Sequence, residues 1–126
     1  MPQTTPVISA EHLSNAVVIH ILARELRKSE VDMLCAGVDE ARATAPSLPF
    51  ILDMANVDFA GSLALGVLVG LNQEFRNRGQ RLIFAALQPN MRQAVNIARI
   101  NRIVEIAQDV PTALRNIEPQ SPPPRA

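Results

Sequence analysis

Ser62 opens a helical run directly after Asp58-Phe59-Ala60-Gly61, and a hydroxyl at that point has two uses. Its ordinary use is to cap the helix by accepting a backbone N–H. The other rests on the unpaired N–H groups and dipole of a helix start, which tolerate an anion. A phosphate on Ser62 would bring roughly −1.5 to −2 of charge and alter the surface more than the fold. The remaining candidates do less. His12 and His20 lack a third ligand at zinc spacing. His20 alternates with Val18 and Leu22 in an apolar run, as a structural or edge residue would. Cys35, the one cysteine, falls on the apolar stripe of a predicted helix and reads as buried and inert. Asp53 and Asp58 alone make neither a glycosidase pair nor a metal site. No Gly-x-Gly-x-x-Gly and no phosphate-loop lysine occurs. Nothing pairs a nucleophile with a base, so no enzyme, metal or cofactor is expected.

The helix that Ser62 opens has an unusual surface. At about 100° per residue, Ala64, Leu68, Leu71 and Phe75 share one face, the natural core stripe. Gly66 and Gly70 fall on the opposite face beside Leu63, with Val67 and Val69 flanking them. Each glycine inside a helix costs about 1 kcal/mol relative to alanine. A bare backbone stripe with apolar flanks lets another surface approach closely, whether part of the same domain, a second copy of the chain or a different protein.

The elements that must position these residues alternate. Ala16 to Leu22 is short and β-branched and reads as a strand, with Val7 to Ser9 as a short partner. Ser29 looks like an N-cap with Asp32 three residues on. Val31, Leu34, Cys35, Val38 and Ala41 follow at helical spacing until Pro46. Leu48 to Met54 is nearly continuous in apolar residues, as a strand covered on both faces would be. The helix from Ser62 ends at Gly79, and Arg76, Arg78 and Arg81 cluster there, where cations suit the dipole. Arg81 to Leu87 is the next strand. A helix starts at Pro89 with Met91, Val95 and Ala98 on one side, Ile103 to Ala107 is a short strand, and Asp109 caps a last helix. This order predicts an α/β fold: a single mixed, mostly parallel sheet of four to five strands with about four helices.

Composition narrows the classes. At 126 residues and 13.7 kDa, with 48% hydrophobic and 19% charged residues, the chain suits one globular domain. The folded unit is expected over 7–117, between a loose N-terminus (1–6) and a proline-rich tail (118–126). Twelve basic and 12 acidic residues leave no surplus for phosphates, and 3% aromatics offer few stacking platforms, so nucleic acid is not an expected partner. The longest uncharged run, Phe59 to Gln73, contains three glycines and is shorter than the roughly 20 residues of a membrane span. A single cysteine fits a reducing compartment. A cytoplasmic location without membrane insertion is the expectation.

Several segments together resemble the STAS domain of anti-sigma factor antagonists, over about Val17 to Ile117. Leu52-Asp53 stands where the family has a leucine-aspartate strand end, and Val57 with Phe59 form its loop pair. Gly61-Ser62-Leu63-Ala64-Leu65-Gly66 is similar to its Asp-Ser-Ser-Gly-Leu-Gly helix opening. Arg78-Gly79-Gln80-Arg81-Leu82 resembles its Gly-Gly-Arg-Leu, and Leu87-Gln88-Pro89-Asn90-Met91-Arg92 its Leu-Ser-Pro-x-Val-Arg. Ile100-Asn101-Arg102-Ile103-Val104-Glu105-Ile106 looks like its final helix-to-strand passage.

The resemblance implies a partner-switching regulator that binds an anti-sigma factor of the serine-kinase-like type and so releases a sigma factor. Its contact would be the loop at 58–62 and the following helix, which selects Asp58, Ala60, Gly61, Ser62, Leu63, Gly66 and Gly70. The motif departs where the switch should be. The second serine, the phosphoacceptor of phosphorylated members, is Leu63 here. The acidic position is Gly61, and the first glycine is Ala64. Either the switch is displaced to Ser62 or it is absent, and the apolar Leu63 favours absence. The family also implies an alternative, a structural subunit of a stressosome-like or transport assembly. A small-molecule sensor is a third class, with no motif behind it. A homodimer through the glycine stripe is compatible with each.

Overall fold

The computed structural model describes residues 6–117; the tail expected at 118–126 and all but Pro6 of the expected loose N-terminus lie outside them. Five strands form the main sheet: β1 (Ile8–His12), β2 (Val17–Ile21), β4 (Phe50–Asp53), β6 (Leu82–Ala85) and β7 (Glu105–Ala107), side by side in that order. β1 runs antiparallel to β2, and every other pairing is parallel. A second, two-stranded parallel sheet joins β3 (Glu25–Leu26) to β5 (Phe59–Ala60). The helices are α1 (Lys28–Thr44), α2 (Ser62–Asn77), α3 (Pro89–Ile97) and α4 (Val110–Ile117), with one 3-10 turn at Ile100–Arg102. This is the mixed, mostly parallel α/β sheet with four helices that the alternation of patterns predicts.

The sheet is covered on both faces, which is why its central strands are nearly continuous in apolar residues. Val17, Ile19, Phe50, Leu52, Leu82 and Phe84 meet Leu34 and Val38 of α1, Leu68 and Phe75 of α2 and Met91 of α3. Val18, Ile51 and Ile83 stand in one register row on the other face, beneath Ala113 of α4.

Three local expectations need correction. α1 starts two residues before the expected register. Its N-cap is Arg27, whose backbone N–H donates to the Glu30 carboxylate at 2.9 Å. Ser29 lies inside the first turn, its hydroxyl donating to Glu30, and Asp32 pairs with Lys28 at 2.9 Å. The backward reach of Glu30 sets the helix start, with β3 delivering the chain just before it. Cys35 is half-buried rather than buried. Arg81 does not serve the end of α2: it forms an ion pair with Glu105 of β7, stitching neighbouring strands.

The end of α2 does match its glycine signal. Gly79 has φ +67, its N–H donates to the Arg76 carbonyl at 3.0 Å, and the Gln80 N–H donates to that of Phe75 at 2.8 Å. Gln80 then turns inward. Its Nε2 donates to the carbonyls of Ala45 (3.1 Å) and Leu48 (2.7 Å), and its Oε1 accepts from Arg42 Nε at 3.1 Å. Arg42, only 6% exposed, lays its guanidinium 4.2 Å over the Phe75 ring. Its Nη2 has no hydrogen-bond partner among the described residues.

Candidate functional site

The chain leaves the sheet at Asp53 and reaches α2 through a short, tightly fastened corner. Met54 N–H donates to Ala85 O at 2.9 Å, and Val57 N–H to Met54 O at 3.1 Å, with Val57 fully buried. The N–H groups of Asp58 and Phe59 both donate to the Arg24 carbonyl, at 2.7 and 3.2 Å. The Arg24 side chain closes the same link, Nε and Nη2 donating to Asp58 Oδ2 at 2.8 and 2.6 Å. The β3–β5 pairing continues it, with Glu25 opposite Phe59 and Leu26 opposite Ala60. The corner is thereby a preset backbone shape although it contains only two ladder residues on each strand.

The predicted contact residues separate on this frame. Ser62, Leu63, Gly66 and Gly70 face solvent, and Gly61, the N-cap of α2, is half-buried. Leu63 is 59% exposed, and Phe59, inside the expected loop but not among its selected contact residues, is 61% exposed. A Cβ on Gly66 or Gly70 would meet nothing within 4 Å, so no other part of the described domain packs on the glycine stripe. The opposite stripe, Ala64, Leu68, Leu71 and Phe75, is buried as its periodicity predicts. Ala60 is the exception among the contact residues. Its methyl is buried in the core because β5 turns it inward, and it offers a visitor no side-chain surface. Asp58 is half-buried and held by Arg24. No side-chain hydrogen bond caps α2, and its first turn carries no acidic residue; the Ser62 hydroxyl stands one residue past the cap.

Gly70 also forms part of a groove between α1 and α2, about 310 Å³ in volume, with Cys35, Asp39, Val67, Leu71 and Glu74. Burial first, then the carboxylates of Asp39, Glu74 and Asp32, push the Cys35 thiol up from its ordinary value. That shift favours the thiol over the nucleophilic thiolate.

His20 is the residue that the sequence undervalues. Its Nδ1 lies 2.7 Å from Asp53 Oδ2 and its Nε2 2.9 Å from Glu11 Oε1. The hydrogen bond to Glu11 raises its pKa most, burial opposes this, and Asp53 raises it further. Asp53 Oδ1 accepts the Ala55 N–H at 3.1 Å, and Gln88 Nε2 donates to Ala55 O at 2.6 Å. Only the pairing register of β1, β2 and β4 brings Glu11 and Asp53 to this ring. Among the described residues no group of three or more His, Cys, Asp or Glu side chains could hold a metal, and no helix is long and apolar enough to cross a membrane.

The fold has relatives. An anti-sigma-factor antagonist (STAS) domain protein from Planctomyces limnophilus superposes with a TM-score of 0.77 at 19% identity, over 90% of this chain and 99% of that one. The unphosphorylated anti-sigma factor antagonist SpoIIAA, a Bacillus cell-fate determinant, gives a TM-score of 0.73 at 18% identity, over 91% and 99%. The murine solute carrier 26 family member A9 anion transporter gives a TM-score of 0.73 at 10% identity, over 86% of this chain and 18% of that one. No curated protein sequence gives a significant match. At such identities these likenesses concern the fold. The sequence itself carries the family assignment: a STAS domain profile matches residues 8–113, nearly the whole of the described fold, and the chain belongs to the STAS domain family.

Proposed function

We propose that this chain is a partner-switching regulator of the anti-sigma factor antagonist kind. It binds a serine-kinase-like anti-sigma factor through the loop at 58–62 and the first turns of α2, and so frees a sigma factor for transcription. The observation that carries this is the corner itself. Phe59 and Leu63 stand more than half exposed beside two helical glycines open to solvent, on a backbone fixed by β3, β5 and Arg24. Large apolar side chains presented together on a rigid frame suit a protein partner. The anti-sigma factor antagonists of like fold support the choice of partner class. The module works by binding rather than catalysis, in the cytoplasm.

Leu63 removes the hydroxyl from the usual acceptor position, so this regulator acts without the serine switch. Incubation with the cognate kinase and ATP should leave the chain unmodified by mass spectrometry. Phosphate found on Ser62 would replace absence of the switch with its displacement. The docking reading is tested by titration calorimetry of the parent and Gly66→Leu against the purified kinase-like anti-sigma factor of the source organism. The parent should bind and the variant should not; equal binding would move the contact elsewhere. The likeness to 18% of an anion transporter's chain favours one second reading, a subunit of a larger assembly. Light scattering separates the two, since a large stable particle belongs only to the second.

A further inference from the structure

We propose that His20 is a proton-operated strap: as an imidazolium it fastens the edge strand β1 to the sheet, and on losing its proton it lets go of Glu11. Beyond its antiparallel ladder to β2 and the turn that Leu13 N–H closes on Ala16 O at 2.8 Å, β1 has few side-chain ties in its second half. Val7 is buried and Ile8 half-buried, with Ile8 filling the space over Gly37 of α1, where a Cβ would lie 2.1 Å from its Cδ1. Ser9, Ala10, Glu11 and His12 are all exposed. Beside the backbone ladder, the side chains of the strand anchor it by apolar contact at its start and by Glu11 with His20 towards its end.

The chemistry of that contact requires two donors. A neutral imidazole has one N–H and one lone pair, whereas the imidazolium has two N–H groups. Carboxylate oxygens face both ring nitrogens, at 2.7 and 2.9 Å. Only the charged ring satisfies both, and both bonds are then charge-assisted. The two carboxylates differ in how firmly they are placed. Asp53 is 19% exposed and Glu11 54%, and Asp53 is also bonded to the Ala55 N–H. A ring with one proton keeps it on Nδ1 for Asp53 and releases Glu11. The charges acting on the ring among the described residues are Glu11 from β1 and Asp53 from β4. α4, packed on β4, β6 and β7, carries Arg115 and is preceded by Asp109, both engaged with Thr112. The native pKa lies above the ordinary value of 6.5, so the strap is fully closed below 6.5 and opens as pH rises through the native value. With Glu11 released, β1 rests on its backbone ladder to β2 and the apolar contact at its start, and its amides open more often.

The test uses the chain alone, and its failure would leave the docking reading untouched. NMR titration of the His20 ring from pH 5 to 9 should give a midpoint above 6.5, lower in Glu11→Gln. Amide exchange, corrected for its intrinsic pH dependence, should show β1 losing protection through that midpoint while the Ala55 amide keeps its own. His20→Gln should show weak β1 protection at every pH, without the step. A midpoint at or below 6.5 overturns the strap. So does β1 protection that is equal on both sides of the midpoint, or loss at Ala55 in place of β1.

Discussion

Arg24 and Asp58, 34 positions apart, are joined twice: the guanidinium holds the carboxylate at 2.6 and 2.8 Å, and the Asp58 N–H donates to the Arg24 carbonyl at 2.7 Å. The side-chain half is exposed at the arginine end, and pairs of that kind contribute about 0.2–1 kcal/mol. The backbone half is what shapes the corner. Asp58→Ala should therefore lower the urea midpoint only slightly. It should raise amide exchange at residues 58–60 and weaken anti-sigma factor binding several-fold.

Gly66 carries a prediction with opposite signs for stability and function. A helical glycine with open space around it gains about 1 kcal/mol on replacement by alanine. Gly66→Ala should raise the denaturation midpoint and Gly66→Leu should not lower it, while the leucine blocks close approach. A stable Gly66→Leu variant that binds the anti-sigma factor as the parent does contradicts the docking surface.

Leu63→Ser restores the family's hydroxyl at a position where 59% of the leucine is already in water. Its thermal midpoint should stay within a few degrees of the parent's. Unlike the parent, it should take up phosphate from the cognate kinase, read as a mass increase on the peptide containing residue 63.

Arg42 separates the size of a buried side chain from its charge. Arg42→Ala leaves Gln80 Oε1 short of a donor and a hole beside Phe75; the expected loss is about 3 kcal/mol in urea denaturation. Arg42→Met fills the hole without burying a charge and should lose clearly less. Equal losses would show that the guanidinium, not its volume, secures this end of the molecule.

Asp109 predicts an acid-side effect. Its carboxylate accepts the Thr112 N–H at 2.8 Å and is held below its ordinary 3.8, chiefly by that residue's side chain and backbone. A depressed carboxylate pKa stabilises the fold above the unfolded value, and the contribution is lost as pH falls through the native one. Exchange at the Ala113 amide, bonded to Asp109 O at 3.0 Å, should quicken below pH 4 in the parent. Asp109→Asn should show no such step.

How much of this was legible depends on range. Local periodicity was enough for β2, β4 and β6 and for the buried face of α2, because burial on one or both faces writes itself into consecutive residues. β3 and β5 escaped, since two residues have no period, and with them went the inward turn of Ala60 and the outward turn of Phe59. The start of α1 was misread because Ser29 offers a cap signal that the reach of Glu30 outcompetes. His20 read only as a structural or edge residue because its partners lie 9 and 33 positions away, and only strand register unites them. The contact segment 58–63 was visible through its motif, but which of its side chains reach solvent was not.

The cinching of α1 and α2 at both ends has a consequence for recognition. β3 and β5 launch the two helices side by side, and Gln80 ties the finish of one to the finish of the other through Ala45, Leu48 and Arg42. Neither helix can slide or splay without breaking an end. A partner docking as proposed would meet two helices at a set spacing, so the entropy of ordering would fall mostly on that partner. Improvements in fit should appear mainly as slower departure, with arrival nearly constant.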